Sequence, residues 1–218
     1  MFSSTLKNNL IKLGLKKGDK ILVSSDVLKF LVYLKKRQIN YNLNDLINDL
    51  IEIVGKNGNI IFPTFNWDFC KGIPFDIKNS KSMTGALSNA ALKRDDFIRS
   101  QNPIYSFAIW GKNKKKISKI KHKSCFGLLS PFGYLIQNNA KNLFIGMDYK
   151  DGLTFVHVAE EQVKVKYRYF KSYEGNIINK NKTQKKKIKM YVRDLSKNLV
   201  TTINKRMDGA LINKKKIK

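Results

Sequence analysis

The chain has few of the residues that staple, switch or turn a backbone. Its 218 residues include 2 Cys, 2 His and 4 Pro. Cys70 and Cys125 stand far apart with no short-range pairing motif and no metal-ligand spacing. That excludes a disulfide framework and leaves them as buried or incidental thiols, with no metal expected. No apolar run approaches the roughly 18 residues that a membrane-spanning helix requires. The N-terminal stretch MFSSTLKNNLIKLGLKKGDK is amphipathic and has no signal-peptide hydrophobic region. A soluble, cytoplasmic protein with no membrane partner is expected. Acidic residues are scarce as well: 16 Asp and Glu face 43 Lys and Arg, a formal net charge of +27.

An apolar fraction of 42% with 13 Phe, 9 Tyr and 2 Trp excludes a wholly disordered chain. So basic a balance raises nucleic acid, an anionic membrane or an anionic ligand as partner. Drift on a solvated surface accounts for it equally well, because Lys accompanies a heavy load of Asn and Ile. Two basic segments stand out, Lys112 to Lys123 and the tail from Lys180 to the closing NKKKIK. Neither interleaves aromatics, and Arg is scarce, so base-stacking platforms and bidentate phosphate clamps are missing. Specific nucleic-acid recognition is therefore not expected, and the last residues should fray.

Periodicity predicts an α/β layered domain. Leu6, Leu10, Ile11 and Leu13 repeat at helical spacing before Gly14, and Leu43, Leu46, Ile47, Leu50, Ile51 and Val54 form a second stripe closed by Gly55. Short apolar runs at Lys20–Ser25, Asn59–Phe62, Tyr105–Trp110 and Leu143–Gly146 read as strands. Thr84 is a candidate cap for GALSNAALKR, and Thr154 to Val165 reads as a helix. Val165–Tyr173 and Lys187–Val192 read as strands turning at Glu174–Gly175. Strands alternating with helices predict a three-layer α/β/α-type domain with a mostly parallel central sheet and C-terminal antiparallel strands. Without repeats or a flexible linker, residues 1–218 read as one domain, from about 180 onward a basic C-terminal segment.

Two histidines make the search for a general base short. His122 lies in the lysine run and reads as a solvated surface residue. His157 lies in DGLTFVHVAEE, just after a strand and in the first turns of a helix. Ligands bind at the carboxyl ends of strands in open α/β sheets, and a helix N-terminus keeps an imidazole neutral. A core histidine satisfied by a carbonyl is the competing reading. Ser24, Ser25, Thr64 and Ser106 place hydroxyls at strand ends, where turn residues are also common. Asp68, two residues after Asn66, is either a carboxylate at the same edge or part of an Asx turn.

In order, the motifs GDKILVSS, GNIIFPTFNWD, PFDIKNSKSMTGALSNAALKR, SQNPIYSFAIWG, SPFGYL and LFIGMDYKDGLTFVHVAEE resemble the antibiotic N-acetyltransferase family, which includes the aminoglycoside 3-N-acetyltransferases. The resemblance spans Gly18 to Lys171. It implies acetyl-CoA as cosubstrate and a primary amine, usually on a sugar, as acceptor; members often form homodimers. The family's T-x-x-H-x-A-E motif falls on Thr154, His157 and Glu160, with His157 as general base, Thr154 and Asp68 as further catalytic residues, and Glu160 toward the substrate. The CoA-contacting hydroxyls fall on Ser24 and Ser25, with Thr64 and Ser106 beside them. Trp67 and Asp68 fall in the acceptor loop, and WDF there looks like the branch associated with surface polysaccharides. Ser24 and Asn102 stand where many members have histidine. Asp194 is the one candidate for the late carboxylate that assists the histidine, and the chain is expected to lack C-terminal elements of the acceptor side.

The resemblance implies direct transfer without an acyl-cysteine. A basic chain would repel polycationic aminoglycosides and attract CoA and nucleotide-linked amino sugars. The expected acceptor is therefore an amino sugar of surface polysaccharide biosynthesis, with an antibiotic aminoglycoside as the alternative. A non-enzymatic polyanion-binding protein is the alternative from a different class.

Overall fold

The structure, a computed structural model, describes residues 2–197 and 209–210. The closing NKKKIK lies outside the described residues. The elements are α1 (Phe2–Lys12), β1 (Lys20–Ser25), α2 (Leu28–Lys36), α3 (Leu43–Val54), β2 (Asn59–Pro63), β3 (Phe75–Asp76), α4 (Ala86–Leu92) and β4 (Ile98–Arg99). They continue with β5 (Phe107–Gly111), α5 (Lys114–Ser118), α6 (Pro131–Gln137), β6 (Lys141–Ile145), α7 (Tyr149–Gly152), α8 (Val156–Gln162), β7 (Arg168–Asn179) and β8 (Lys182–Arg193).

Five strands form the central sheet in the order β4-β5-β2-β1-β6. β1 pairs in parallel with both β2 and β6, while β5 runs antiparallel between β2 and β4. Only β5 is therefore reversed. The pleat sends alternate side chains to opposite faces, and both faces are covered. Ile21, Val23, Ile60 and Phe62 pack on one side with Leu46, Ile47 and Leu50 of α3 and Leu87 of α4. Leu22, Ile61, Phe107 and Ile109 pack on the other with Leu135 of α6, Val158 of α8 and Ile177 and Ile188 of the hairpin. Side chains such as Ile47 and Leu50, both 0% exposed, each contribute about 1.5–3 kcal/mol from burial.

Local chemistry explains the best-formed helix. Asn42 accepts from the backbone of Asn44 and Asp45, and Asp45 accepts in return from the Asn42 N–H, a complete capping box before the apolar stripe. Thr84, expected to cap α4, does not. Gly85 holds the cap position, and the Thr84 hydroxyl donates instead to the Pro63 carbonyl at the end of β2. α2 was not anticipated, because its exposed Leu28, Val32 and Tyr33 blur the amphipathic pattern.

The C-terminal hairpin turns later than expected. β7 and β8 pair from Arg168↔Arg193 to Asn179↔Lys182, so the turn lies at Lys180 and Asn181, with Lys180 at φ 55°. Glu174 and Gly175 sit inside β7. Gly175 is there for space, since a Cβ at that position would lie 2.8 Å from the Phe69 ring. β3 adds a third strand to this second sheet. α8 is shorter than the expected 154–165, because residues 153–155 form the turn that leads into it.

The sheet sets the position of the site. From β1 the chain moves to β2 on one side, and after β5 it returns to β6 on the other. The carboxyl end of β1, flanked by β2 and β6, is thus the topological switch point, the place at which open α/β sheets bind ligands.

Candidate active site

β1 ends in Ser24 and Ser25, and β6 ends beside them in the Ser25↔Ile145 register. The chain leaving β6 passes through Gly146, whose φ of 69° and tight approach to Asp26 require glycine: a Cβ would lie 2.1 Å from the Asp26 carbonyl oxygen. The chain then folds back through α7, so that the Ser24 hydroxyl reaches the Gly152 carbonyl at 3.4 Å. Thr154 N–H donates to the Gly152 carbonyl, and His157 N–H to the Thr154 carbonyl. This turn delivers His157 to the start of α8, at the edge where Ser24 and Ser25 end.

His157 Nδ1 lies 2.6 Å from Glu160 Oε2, one helical turn along α8. Glu160 is only 4% exposed and has two further partners. The Tyr167 hydroxyl donates to Oε1 at 2.8 Å, and Arg168 Nε stands 2.8 Å from Oε2, an ion pair whose N–H points off the hydrogen-bond line. Burial by itself pushes the Glu160 carboxyl up. Hydrogen bonds from His157 and Tyr167, with the nearby positive charges, outweigh it and hold the group below its ordinary value. An ionised Glu160 only accepts, so the proton between the two belongs to His157 Nδ1 and Nε2 is left as the free basic atom. Burial, reinforced by Glu160, pushes the Tyr167 phenol up to about 12 and keeps it a donor.

This geometry corrects two expectations. The carboxylate that orients His157 is Glu160, not Asp194. Asp194 accepts from the Ser196 hydroxyl and stands 3.6 Å from Lys197. Glu160 in turn is taken up by protein partners rather than facing the substrate. The three-residue spacing of His157 and Glu160 on one helix face was the available signal. Tyr167 and Arg168 carried no comparable signal, since only the hairpin brings them back onto α8.

An aromatic wall runs from the site. The Phe126 ring is 5.0 Å from the His157 ring, Tyr105 is 4.8 Å from Phe126, and Trp67 is 6.5 Å from Tyr105. The wall thus links the exposed Trp67, in the loop after β2, to His157. Asn66 Oδ1 accepts from the Asp68 N–H, so the Asx turn is formed, and the Asp68 carboxylate, 33% exposed, stands 3.4 Å from Lys71 Nζ. Ser25 and Thr154 are partly exposed at the edge.

Thr64 and Ser106, expected to meet a ligand, have no exposed surface. Their hydroxyls lie 2.8 Å apart, and Arg99 donates to Ser106 Oγ and to the Thr64 carbonyl. They brace β2 against β5 beneath the edge. His122 is also corrected: it is not a solvated residue of a free lysine arm. Residues 123–125 are tied to β8 through the Lys189 backbone. The His122 ring donates from Nδ1 to the Ile120 carbonyl and accepts from Asn102 Nδ2 at Nε2, while burial pushes it down from the usual imidazole value. Asn102 Nδ2 also reaches the sulfur of Cys125. Cys125 is fully buried, and burial pushes its thiol up to about 12, so this Cys–Asn–His grouping holds a structural thiol. Among the described residues no group of three or more His, Cys, Asp or Glu could hold a metal, and no helix is long and apolar enough to cross a membrane.

A family model described as aminoglycoside 3-N-acetyltransferase matches residues 33–217. The chain is 28% identical over 183 residues to the SPbeta prophage-derived aminoglycoside N(3')-acetyltransferase-like protein YokD of Bacillus subtilis (strain 168), covering 73% of this chain and 64% of that protein. It therefore spans slightly less than two thirds of that curated relative. The fold is similar to the crystal structure of aminoglycoside acetyltransferase AAC(3)-Xa, with TM-score 0.77 and 19% identity over 97% of this chain and 81% of the other. AAC-IIIb in a binary complex with CoASH gives TM-score 0.73 and 20% identity over 97% and 83%. The crystal structure of YokD from Bacillus subtilis gives 0.69 and 24% over 88% and 83%.

Proposed function

The chain belongs to the antibiotic N-acetyltransferase family, and on that premise we propose that it transfers an acetyl group from acetyl-CoA to a primary amine of an amino sugar. The observation that carries the reading is the His157–Glu160 pair, 2.6 Å apart at the open carboxyl edge of β1 and β6. Residues 1–218 are read as one acetyltransferase unit, assembling as a homodimer, as members of the family often do.

The acceptor nitrogen attacks the thioester carbonyl while His157 Nε2 takes its proton, directly or through one water. Glu160 balances the imidazolium that forms. Strand-end N–H groups near Ser24 and Ser25 hold the oxyanion. The tetrahedral intermediate then collapses, the C–S bond breaks, and His157 returns the proton to the CoA thiolate. Trp67 and Asp68 border the acceptor side, the carboxylate suited to a second ammonium of an amino sugar. The buried, weakly acidic Cys125 has no part in this scheme.

Relatives carry aminoglycoside names, and an aminoglycoside amine fits the scheme. The net charge of +27 favours a second reading. It attracts an anionic acceptor such as a nucleotide-linked amino sugar of surface polysaccharide synthesis and repels a polycation, within a screening length of about 8–10 Å.

His157→Ala should lower turnover by roughly 10²–10⁴-fold, with acetyl-CoA affinity retained. Thiol release and product mass, measured with kanamycin-type amines and nucleotide-linked amino sugars side by side, report both catalysis and acceptor. Near wild-type turnover in His157→Ala would sink the assignment. A thermal shift with RNA and none with acetyl-CoA would instead support a polyanion-binding protein.

A further inference from the structure

We propose that the cavity on the outer edge of β4 is a second ligand site, separate from the His157 centre, for a small polyanion with a flat ring, of the mononucleotide class. The cavity encloses about 580 Å³, within the range of roughly 300–1,000 Å³ typical of small-ligand sites. Its position is independent of the catalytic edge. Asn179 lines it at the far end of β7, whose first residue, Arg168, touches Glu160. β7 is 12 residues long, so at about 3.3 Å per residue its ends lie roughly 35 Å apart. No residue assigned to the acetyl-transfer scheme lines this cavity.

The lining is one-sided in charge. Lys115 of α5, Lys119 at the C-cap of that helix, and Lys78 all line the cavity. All three are exposed, and none is ion-paired among the described residues. Asp95 is the one carboxylate in the lining. Arg94 is already committed to Asp96, at 2.9 Å. Beneath lies Arg99, 8% exposed. Its guanidinium donates to the carbonyls of Thr64, Ile77 and Ser80 and to Ser106 Oγ, and among the described residues no carboxylate lies within ion-pair distance. Burial pushes it down to about 10. Asp76 offsets part of the guanidinium charge from outside ion-pair distance, and Lys78, Lys115 and Lys119 keep the lining net positive, a concave arrangement that focuses a positive potential.

Two further features select the kind of anion. The half-buried Ile77, Leu92 and Ile98 supply an apolar surface that bare phosphate would leave unused. Gln101 and Asn179 offer amides that can donate and accept at the edge of a base. Phosphates against the lysines and a ring against Leu92 and Ile98 would use both halves of the lining.

The test uses the full chain and calorimetric titration with UDP and with inorganic pyrophosphate, neither of which carries adenine. UDP should bind more tightly than pyrophosphate, and saturating CoA should not displace it. The double variant Lys115→Glu/Lys119→Glu, and separately Lys78→Glu, should weaken UDP binding by roughly tenfold, with melting temperature and acetyl-CoA affinity unchanged. Absence of binding, equal affinity for the two anions, displacement by CoA, or undiminished binding in the variants would each overturn the proposal. Absence of UDP binding would count also against a nucleotide-linked acceptor, whereas undiminished binding in the lysine variants overturns this site alone and turnover of His157→Ala tests the catalytic reading alone.

Discussion

Replacing Glu160 with Gln isolates one charge while keeping the shape of the side chain. In the transition state of the proposed scheme His157 becomes an imidazolium, and its Nδ1 sits 2.6 Å from Glu160 Oε2. With charge centres about 4 Å apart and an effective dielectric near 20, the attraction is about 4 kcal/mol. Two features reduce it. The His157 side chain is 23% exposed, and Arg168 places an opposing charge 2.8 Å from the same carboxylate oxygen. A net loss of about 2–3 kcal/mol corresponds to roughly 10²-fold in kcat. The assay is thiol release from acetyl-CoA under saturating acceptor, with KM for both substrates measured in parallel. kcat should fall about a hundredfold with little change in KM, because the charge on His157 appears only as the amine loses its proton. A kcat within a few-fold of wild type would refute the assigned role of Glu160. The same carboxylate carries a pH signature. Its acidity is increased in the folded state, so its contribution to stability is complete above the ordinary glutamate range and is lost as pH falls below it. Wild-type melting temperature should therefore drop more steeply than that of Glu160→Gln between about pH 5 and 3. Parallel curves would show that the network does not hold the carboxylate ionised.

The thiols and one glycine give two further expectations. Burial pushes the Cys125 thiol up to about 12, so the native protein at about pH 8 should leave Cys125 unalkylated by iodoacetamide while the denatured chain reacts; peptide mass mapping reads this, and rapid native labelling would contradict the burial. Gly146→Ala forces a side chain onto a φ of 69° with its Cβ 2.1 Å from the Asp26 oxygen. It should cost at least about 1–3 kcal/mol, seen as a lower melting temperature, together with reduced kcat because the following turn delivers His157; an unchanged melting temperature would refute the strain argument.

Much of the fold was legible because it follows from short-range pattern. KILVSS is a strand along its full predicted length, and the α3 stripe begins and ends where its capping box and Gly55 place it. The hairpin turn was misplaced because Glu174–Gly175 has turn chemistry. Only the packing of Phe69 against Gly175 shows why that glycine lies within a strand. α8 was placed correctly but drawn too long, since a one-turn approach to a helix and its first turn share a sequence pattern. His157 was legible from its position after a strand and from the family motif. The solvated reading of His122 failed because the pairing of residues 123–125 with β8 is a long-range contact.

Periodicity, charge and motif order were enough to establish an α/β layered chain of this family, with a histidine at a strand-to-helix edge and a strongly basic surface. These properties depend on residue type and spacing along the chain. Which carboxylate contacts His157, that Thr64 and Ser106 brace the sheet rather than face a ligand, and that three lysines without an ion pair among the described residues line a cavity beside β4 depend on contacts between distant segments. Glu160 prevails over Asp194 because helix geometry puts it one turn from His157 and the returning hairpin adds Tyr167 and Arg168. That closure brings residues from opposite ends of the segment together at hydrogen-bond distance, which spacing along the chain does not encode.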